Sequence, residues 1–512
     1  MGCPAAVFFL ALMAACARES RPTGPRLVVL YATCSLNKDF LTPYDPKVPF
    51  TPALAALAQE SVVFERHVTE SAVSGIAYAS LFTGAQADEH GIFHHPSRLT
   101  ERMLTVFEAF AAAGYETYYW NGHPMASAEL GYAQGVPPEH VYPSADYTGN
   151  DKSFARTLLR SEDPWFRALL DGLKADPERH ALVVANFTVT HAPYTRQTKP
   201  AQLRAFLNAC PAATGGVPVE TLMSDLERFG SLYDENRLPL QWDYPATVAR
   251  LGLSPADQQA LERVLRAQYC GNVTLLDAIV GGCLEVLRAS GLDADTLFAF
   301  TADHGEYLFH AERLFQWGHG LQLAPEELSV PWILRPPKGL FSPGRYHEVT
   351  RSIDVFPTLA GLCGVPLPAG APVQGHDLST ALRGTAAPPP LIAPSHTKVL
   401  DERLMREFAD LALVRQYYPS TDPDLMWVSV RDGEQYARWR NRGDGVFVQE
   451  HFLLTRDPFA FESDFDPTDP EHARLARFLE EYKARLVASY GTERGVDAET
   501  IEEDLKALGY VR

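Results

Sequence analysis

Cysteine is scarce in this 512-residue sequence: seven are scattered at positions 3, 16, 34, 210, 270, 283 and 363, and none forms a CxxC pair. Cys3 and Cys16 sit in an apolar leader, which leaves an odd number, so a full disulfide framework does not organise the chain. Most of the rest read as small buried hydrophobes. Positive charge is short as well. With 45 Lys and Arg against 64 Asp and Glu, the formal charge is −19. That excludes the broad basic footprint of a general nucleic-acid binder or of a protein held electrostatically on anionic membranes. A local basic or metal-lined pocket stays compatible with it. Polar low-complexity tracts and internal repeats are absent, and 46% hydrophobic with 21% charged residues describes a globular chain. Its length suits a large core with a smaller satellite.

A long apolar run is also missing at the N-terminus. In "MGCPAAVFFLALMAACARES" the stretch from Ala5 to Ala15 is too short to span a bilayer comfortably and has the length of a signal-peptide core. Residues 1–24 are expected to be a signal peptide or lipoprotein leader, and the protein to be exported, periplasmic or extracellular. No Lys or Arg precedes the run. "MAAC" resembles a bacterial lipoprotein signal with Met where Leu is usual, which would make Cys16 a lipid-anchored first residue.

What is present is alternation. "RLVVLYA" (Arg26 to Ala32) is a continuous apolar run of the kind buried on both faces of a parallel sheet. Thr51 and Pro52 suit the cap and first turn of a helix, which ends in a strand-like "VVF". "VFEAFAAAGYETYYW" reads as helix, Gly114 stop and strand. "ALVVANFTV" and "TLFAFT" are further buried strands, the second preceded by a long helix from about Asp257 to Ser290 that stops at Gly291. "VPWILR" and the helical "DVFPTLAGLCG" complete the pattern. The alternation predicts an α/β fold, a doubly wound and mostly parallel sheet over residues 25–390, with a helical insertion at 201–256. After "GTAAPPP" the pattern changes. "LMWVSV", "QYARWR" and "VFVQEHF" between polar turns predict an antiparallel meander, and "EHARLARFLEEYKARLVASY" a closing helix, so residues 391–512 are expected to form a smaller α+β subdomain. The glycosylation-like "NFT" at Asn186 and "NVT" at Asn272 fall in a strand and a helix and read as coincidence.

In open α/β sheets ligands bind beyond the carboxyl ends of the strands. That rule gathers Thr33, Cys34 and Ser35 after the first strand, Thr190 and His191 after "ALVVANFTV", and Asp303 and His304 after "TLFAFT". Asp and His together suit a divalent ion, which would polarise an ester oxygen and lower the pKa of a nucleophile. Asp303 and His304 lead the metal-ligand candidates; His191 and His319 follow, and His310 reads as surface. In "TESAVSGIAYASLFTG" Ser74 precedes a glycine and a short helical run. Its hydroxyl is either a plain cap or a nucleophile placed where free amides favour developing negative charge.

These segments combine. "TADHGEYLFHAERLFQWGHG", followed by "EELSVPWILRPP", resembles the TSDHGE, WGHG and LYEExLRVP sequence of the sulfatases and related phosphate and phosphonate ester hydrolases of the alkaline phosphatase superfamily. "SAVSGIAYASLFTG" resembles that family's nucleophile segment, and "THAPY", "RSIDVFPTLAGLCGVPLPAGAPVQGHDLSTAL" and "EDLKALGYV" extend the likeness over nearly the whole chain after the leader. The resemblance implies a nucleophile at Ser74, metal ligands at Asp303 and His304, and catalytic roles for His191 and His319 in holding the metal or the ester's anionic oxygens. It implies a divalent metal ion (calcium, manganese or zinc) and a small anionic ester or sulfated glycan as substrate.

The departures are equally specific. Where the family's first strand is followed by a ligating Asp, this chain has Cys34 and then Ser35. A hard oxygen ligand for calcium is thereby lost. Cys34 then either binds zinc as thiolate, with Ser35 beside it, or merely fills the space. Ile76 and Tyr78 replace the Pro and Arg of the nucleophile motif, so formylglycine formation is not expected. "NGHP" near Asn121 replaces GKWH and its lysine, and Ala324 replaces the Tyr of LYEE. Two functions therefore follow: a sulfatase-like hydrolase of sulfate, phosphate or phosphonate esters using Ser74, or a catalytically inactive sulfatase-fold protein that binds anionic ligands.

Overall fold

The computed structural model describes residues 22–143 and 159–491. The leader, with Cys16, and the terminal "EDLKALGYV" lie outside the described residues. Strand β1 (Leu27–Thr33) is fully buried because its side chains alternate between two cores. Leu27, Val29 and Tyr31 enter one core and Val28, Leu30 and Ala32 the other. An all-apolar run is what a strand covered on both faces requires.

The other strands of the main sheet are β2 (Val62–Val68), β3 (Glu116–Asn121), β4 (Val141–Pro143), β5 (Ala181–Phe187), β6 (Thr296–Ala302), β7 (Trp332–Arg335) and β8 (Gly344–Arg351). They form an eight-stranded sheet in the order β4-β3-β5-β1-β6-β7-β2-β8. β7 runs antiparallel to both neighbours, and the other pairings are parallel. Register decides the site. Thr33 is level with Phe187 and with Ala302, so the segments after β1, β5 and β6 leave the sheet on one rim.

Helices cover both faces. Pro52–Gln59, Pro164–Ala175 and Pro255–Ser290 pack on the first core, and Ser74–Thr83, Val106–Ala112 and Val355–Cys363 on the second. By length and composition Pro255–Ser290 could cross a membrane, but 61% of its most apolar window is buried inside this fold, as a core helix requires. Helices Pro200–Ala209, Val219–Trp242 and Tyr244–Leu251 occupy the stretch between β5 and that long helix.

One cap differs from the sequence expectation. Thr51 makes no capping bond to the helix Pro52–Gln59 and instead exchanges hydrogen bonds with Thr42. The free amides of Ala53 and Leu54 are taken by the Asp277 carboxylate, at 3.0 and 2.8 Å, from the middle of the long helix. A charged acceptor on a packed neighbour outcompetes a local hydroxyl.

A second, four-stranded antiparallel sheet has the order β12-β11-β10-β9, with β9 Ala393–His396, β10 Val428–Asp432, β11 Gln435–Asn441 and β12 Phe447–Leu453. Helix Pro470–Ser489 lays Leu475, Leu479, Tyr482 and Leu486 against Val428, Val430 and Ala437, a spacing that puts one apolar stripe on the sheet. The subdomain is tied to the main sheet near its rim. His396 N–H donates to the Glu70 carbonyl at 2.9 Å, Ser395 Oγ to Thr69 O at 2.7 Å, and Val399 N–H to Phe93 O at 3.0 Å.

Candidate active site

Four of the side chains named from sequence converge beyond β1 and β6. Ser74 opens the helix Ser74–Thr83, but its hydroxyl does not cap it. The Ser74 Oγ lies 3.1 Å from His304 Nε2 and 3.5 Å from Cys34 Sγ. The next residue, Gly75, packs against His95, where a Cβ would come within 2.9 Å of the His95 Cβ.

Backbone geometry orients the acidic partner. Asp303 Oδ1 accepts hydrogen bonds from His304 N–H (2.6 Å) and Ser35 N–H (3.3 Å). Ser35 holds φ at 56°, a left-handed conformation uncommon for a side-chain-bearing residue, in the turn that aims this amide at the carboxylate. Asp303 Oδ2 is buried without a hydrogen bond of good geometry. Burial raises the Asp303 pKa, partly offset by His304 and its amide.

His304 Nδ1–H donates to the Gly305 carbonyl at 2.8 Å, which leaves Nε2 as the lone pair facing the cluster. Nε2 stands 3.6 Å from Asp303 Oδ2 and 3.8 Å from Cys34 Sγ. Gly305 is required here: a Cβ would meet the Glu326 carbonyl oxygen at 2.1 Å, while its N–H donates to Glu327 O at 2.8 Å.

Donor atoms of Cys34, Asp303 and His304 all lie within 4.8 Å of one another, and the three residues are buried. One thiol, one carboxylate with an open oxygen and one imidazole lone pair fit a divalent ion with a taste for sulfur and nitrogen. Ser35 Oγ is 3.4 Å from Cys34 Sγ and could add an oxygen. Burial and the Asp303 charge raise the Cys34 pKa well above the thiol range, so without a cation the thiol stays protonated. A second His–Asp–His group, His451, Asp464 and His472, is less suited. Both His451 nitrogens and His472 Nδ1 are already engaged, with Asp464, Gln435 and the Asp466 amide.

Two further histidines named from sequence stand beside the cluster. The His319 ring centroid is 4.2 Å from that of His304 and 5.3 Å from that of His191. His319 Nδ1–H donates to Glu306 Oε2 at 2.6 Å, and Tyr194 OH donates to Oε1 of the same carboxylate. His191 Nδ1–H donates to the Ala192 carbonyl. Each ring therefore keeps Nε2 unprotonated. Burial, with nearby positive charge, holds His191 and His319 well below the usual imidazole range. His310 is half-buried rather than a free surface residue, 3.9 Å from Glu326.

Sequence reasoning missed Glu306, His123 and the pocket residues Lys398, Arg237 and His95. Glu306, pushed up to about 7 by burial, orients His319 and lies inside the same DHGE motif as Asp303 and His304. His123 follows β3 on the same rim; applying the strand-end rule to "ETYYWN" would have found it. Its Nδ1 accepts from Met125 N–H at 3.1 Å, so Nε2–H is a buried donor without a partner. Lys398, from the C-terminal subdomain, lines the pocket above His191 and His319 with His95 and Arg237. That pocket encloses about 490 Å³, part of it open to solvent.

A mostly parallel sheet with an oxygen nucleophile candidate, an Asp–His pair and an imidazole cluster at its strand ends agrees with the motif resemblance to the alkaline phosphatase superfamily. The Sulfatase family's sequence profile matches residues 26–365. The chain belongs to the sulfatase family. It is 24% identical over 391 residues to the ulvan-active sulfatase of Formosa agariphila, covering 72% of this chain and 66% of that protein. The chain thus spans just under two thirds of that relative's length. Among solved structures it superposes on a protein in complex with its substrate D-glucosamine-2-N,6-O-disulfate (TM-score 0.65, 16% identity, 91% of this chain and 98% of the other). The phosphonate monoester hydrolase of Agrobacterium radiobacter has the same fold (TM-score 0.58, 18% identity, 91% and 95% covered).

Proposed function

We propose that the protein hydrolyses sulfate or phosphonate monoesters, with Ser74 as nucleophile and a divalent ion held by Asp303, His304 and Cys34, with Ser35 beside them. The observation that carries the reading is the 3.1 Å approach of Ser74 Oγ to His304 Nε2 beside the open oxygen of Asp303. A bound divalent ion would polarise the ester oxygen and lower the pKa of the serine hydroxyl. Ser74 Oγ attacks sulfur or phosphorus, and the ester's bridging oxygen departs with the electron pair. The unprotonated Nε2 of His191 or His319 accepts the serine proton and returns it to the departing oxygen. His123 Nε2–H, a buried donor without a partner, would answer the charge that the ester brings into the site. Water then attacks the serine ester, releases the oxyanion and restores the hydroxyl.

Sulfated glycans are the substrate class favoured by the neighbours' own ligands, one of which is a doubly sulfated glucosamine. Export by the apolar leader, with a lipid at Cys16, remains part of the proposal. The test is hydrolysis of chromogenic sulfate and phosphonate esters by the full chain across a metal panel.

A second reading has its own observation. Tyr78, buried at 0% exposure, stands where the family's motif has an Arg and packs its ring 5.4 Å from His123, and burial with the Asp303 charge raises the Cys34 pKa. An anion-binding protein that does not turn over would keep the pocket and show no metal-dependent rate.

A further inference from the structure

Lys398 is only 6% exposed, yet it lines the pocket. The segment that carries it is clamped on both sides, by Thr397 N–H to Trp427 O (3.1 Å) and Val399 N–H to Phe93 O (3.0 Å). No carboxylate pairs with its ammonium among the described residues. Asp401 and Glu407 are the acidic groups nearby. Asp401 caps a helix through Leu404 N–H at 2.7 Å, and Glu407 lies 3.8 Å from Arg403. A buried, uncompensated ammonium is costly unless a ligand supplies the counter-charge. Arg237, 8% exposed, reaches the same pocket from the helix Val219–Trp242.

The charge exceeds what the reacting ester needs. A sulfate monoester carries one negative charge, and that charge belongs beside Ser74 and the Asp303–His304 pair. Lys398 and Arg237 line the pocket with apolar Trp242 and Phe408 and with Val73, while Ser74, Asp303 and His304 are not among its lining residues. We propose that Lys398 and Arg237 form a second anion-binding point, which selects esters bearing another sulfate or carboxylate on a ring that rests against Trp242 and Phe408. The proposal takes from the hydrolase reading only the identity of the reacting group. It brings two regions outside the motif-bearing strands, the helical stretch and the C-terminal subdomain, into substrate choice.

Calorimetry on the full chain tests it without turnover, using benzene-1,3-disulfonate and benzenesulfonate as dianion and monoanion. The dianion should bind more tightly, and Lys398→Met should lower the dianion-to-monoanion affinity ratio by at least about tenfold, the size of one buried charge contact. Lys398→Arg should restore most of the ratio. If Lys398→Met does not fold, Arg237→Gln carries the same expectation. An unchanged ratio, or an equal loss for both ligands, overturns the second point. In parallel, kcat/KM for 4-nitrophenyl sulfate is compared with that for its ring-carboxylated analogue. Dianion preference without hydrolysis would leave the binding point standing and remove the hydrolase reading; hydrolysis without preference would do the reverse.

Discussion

Ser74 and His304, 230 residues apart in sequence, are joined by a 3.1 Å contact between a hydroxyl and an imidazole lone pair. Two local devices hold the segments that carry it. Gly75 lets the helix start close to His95, and the Gly305 carbonyl fixes the His304 tautomer.

The donor set sets the metal preference. Zinc should bind more tightly than calcium, because one of the three clustered donors is sulfur and only one is a carboxylate. Asp303→Asn should weaken zinc by at least about 100-fold, the upper range for losing even an outer-shell partner. Cys34→Asp should shift the preference towards calcium. Competition titration with a metal chromophore reads both, and equal zinc affinity in Cys34→Ala would remove the thiol from the site.

Lys398 gives a stability prediction with a defined sign. Burial, aided by Arg403, lowers its pKa from 10.5 to about 8. Its charge in turn presses on His95 and His319, which burial already holds low, while Asp401 and Glu407 oppose the shift. Between about 8 and 10.5 the unfolded chain holds a proton that the folded one has lost, so stability rises with pH across that window. Below it, folding pays for a buried charge. Lys398→Met should therefore stabilise the unliganded protein at pH 7 by on the order of 3 kcal/mol while weakening dianion binding. Urea melts at pH 7 and pH 10 check it; a destabilised variant at pH 7 would contradict the account.

Gly305→Ala should cost on the order of 1–3 kcal/mol and release metal, because the new methyl meets the Glu326 carbonyl rather than a movable side chain. Thermal melts with and without zinc measure both effects. Full metal affinity in a stable Gly305→Ala protein would show that the loop has slack the geometry denies.

Asp277→Ala should destabilise by about 1–3 kcal/mol by stranding the amides of Ala53 and Leu54. Hydrogen exchange localises the loss. The account expects faster exchange at those two amides, and unchanged protection there would be evidence against the cap.

How much was legible follows from which contacts are local. β1, β5 and β6 were readable as apolar runs because they are covered on both faces, and the strand-end rule then placed Cys34, His191, Asp303 and His304 on one rim. Ser74 needed the family's motif, since a serine before a helix is ordinarily a cap. Lys398, Arg237 and His95 carry no local signal: packing of the C-terminal sheet and of the helix Val219–Trp242 over the rim alone brings them together. The Asp277 cap escaped for the same reason, since its carboxylate is more than 220 residues from the amides it serves.

The central claim is that Ser74 is the nucleophile of a metal-dependent ester hydrolase. The most direct measurement is steady-state hydrolysis of an aryl sulfate and an aryl phosphonate by the full chain, loaded in turn with zinc, manganese and calcium, beside Ser74→Ala loaded identically. The account predicts hydrolysis that requires the metal and falls by at least about 1000-fold in Ser74→Ala, the range expected when a nucleophile is removed. Equal rates in the two proteins, or no rate above the variant with any metal, would contradict it.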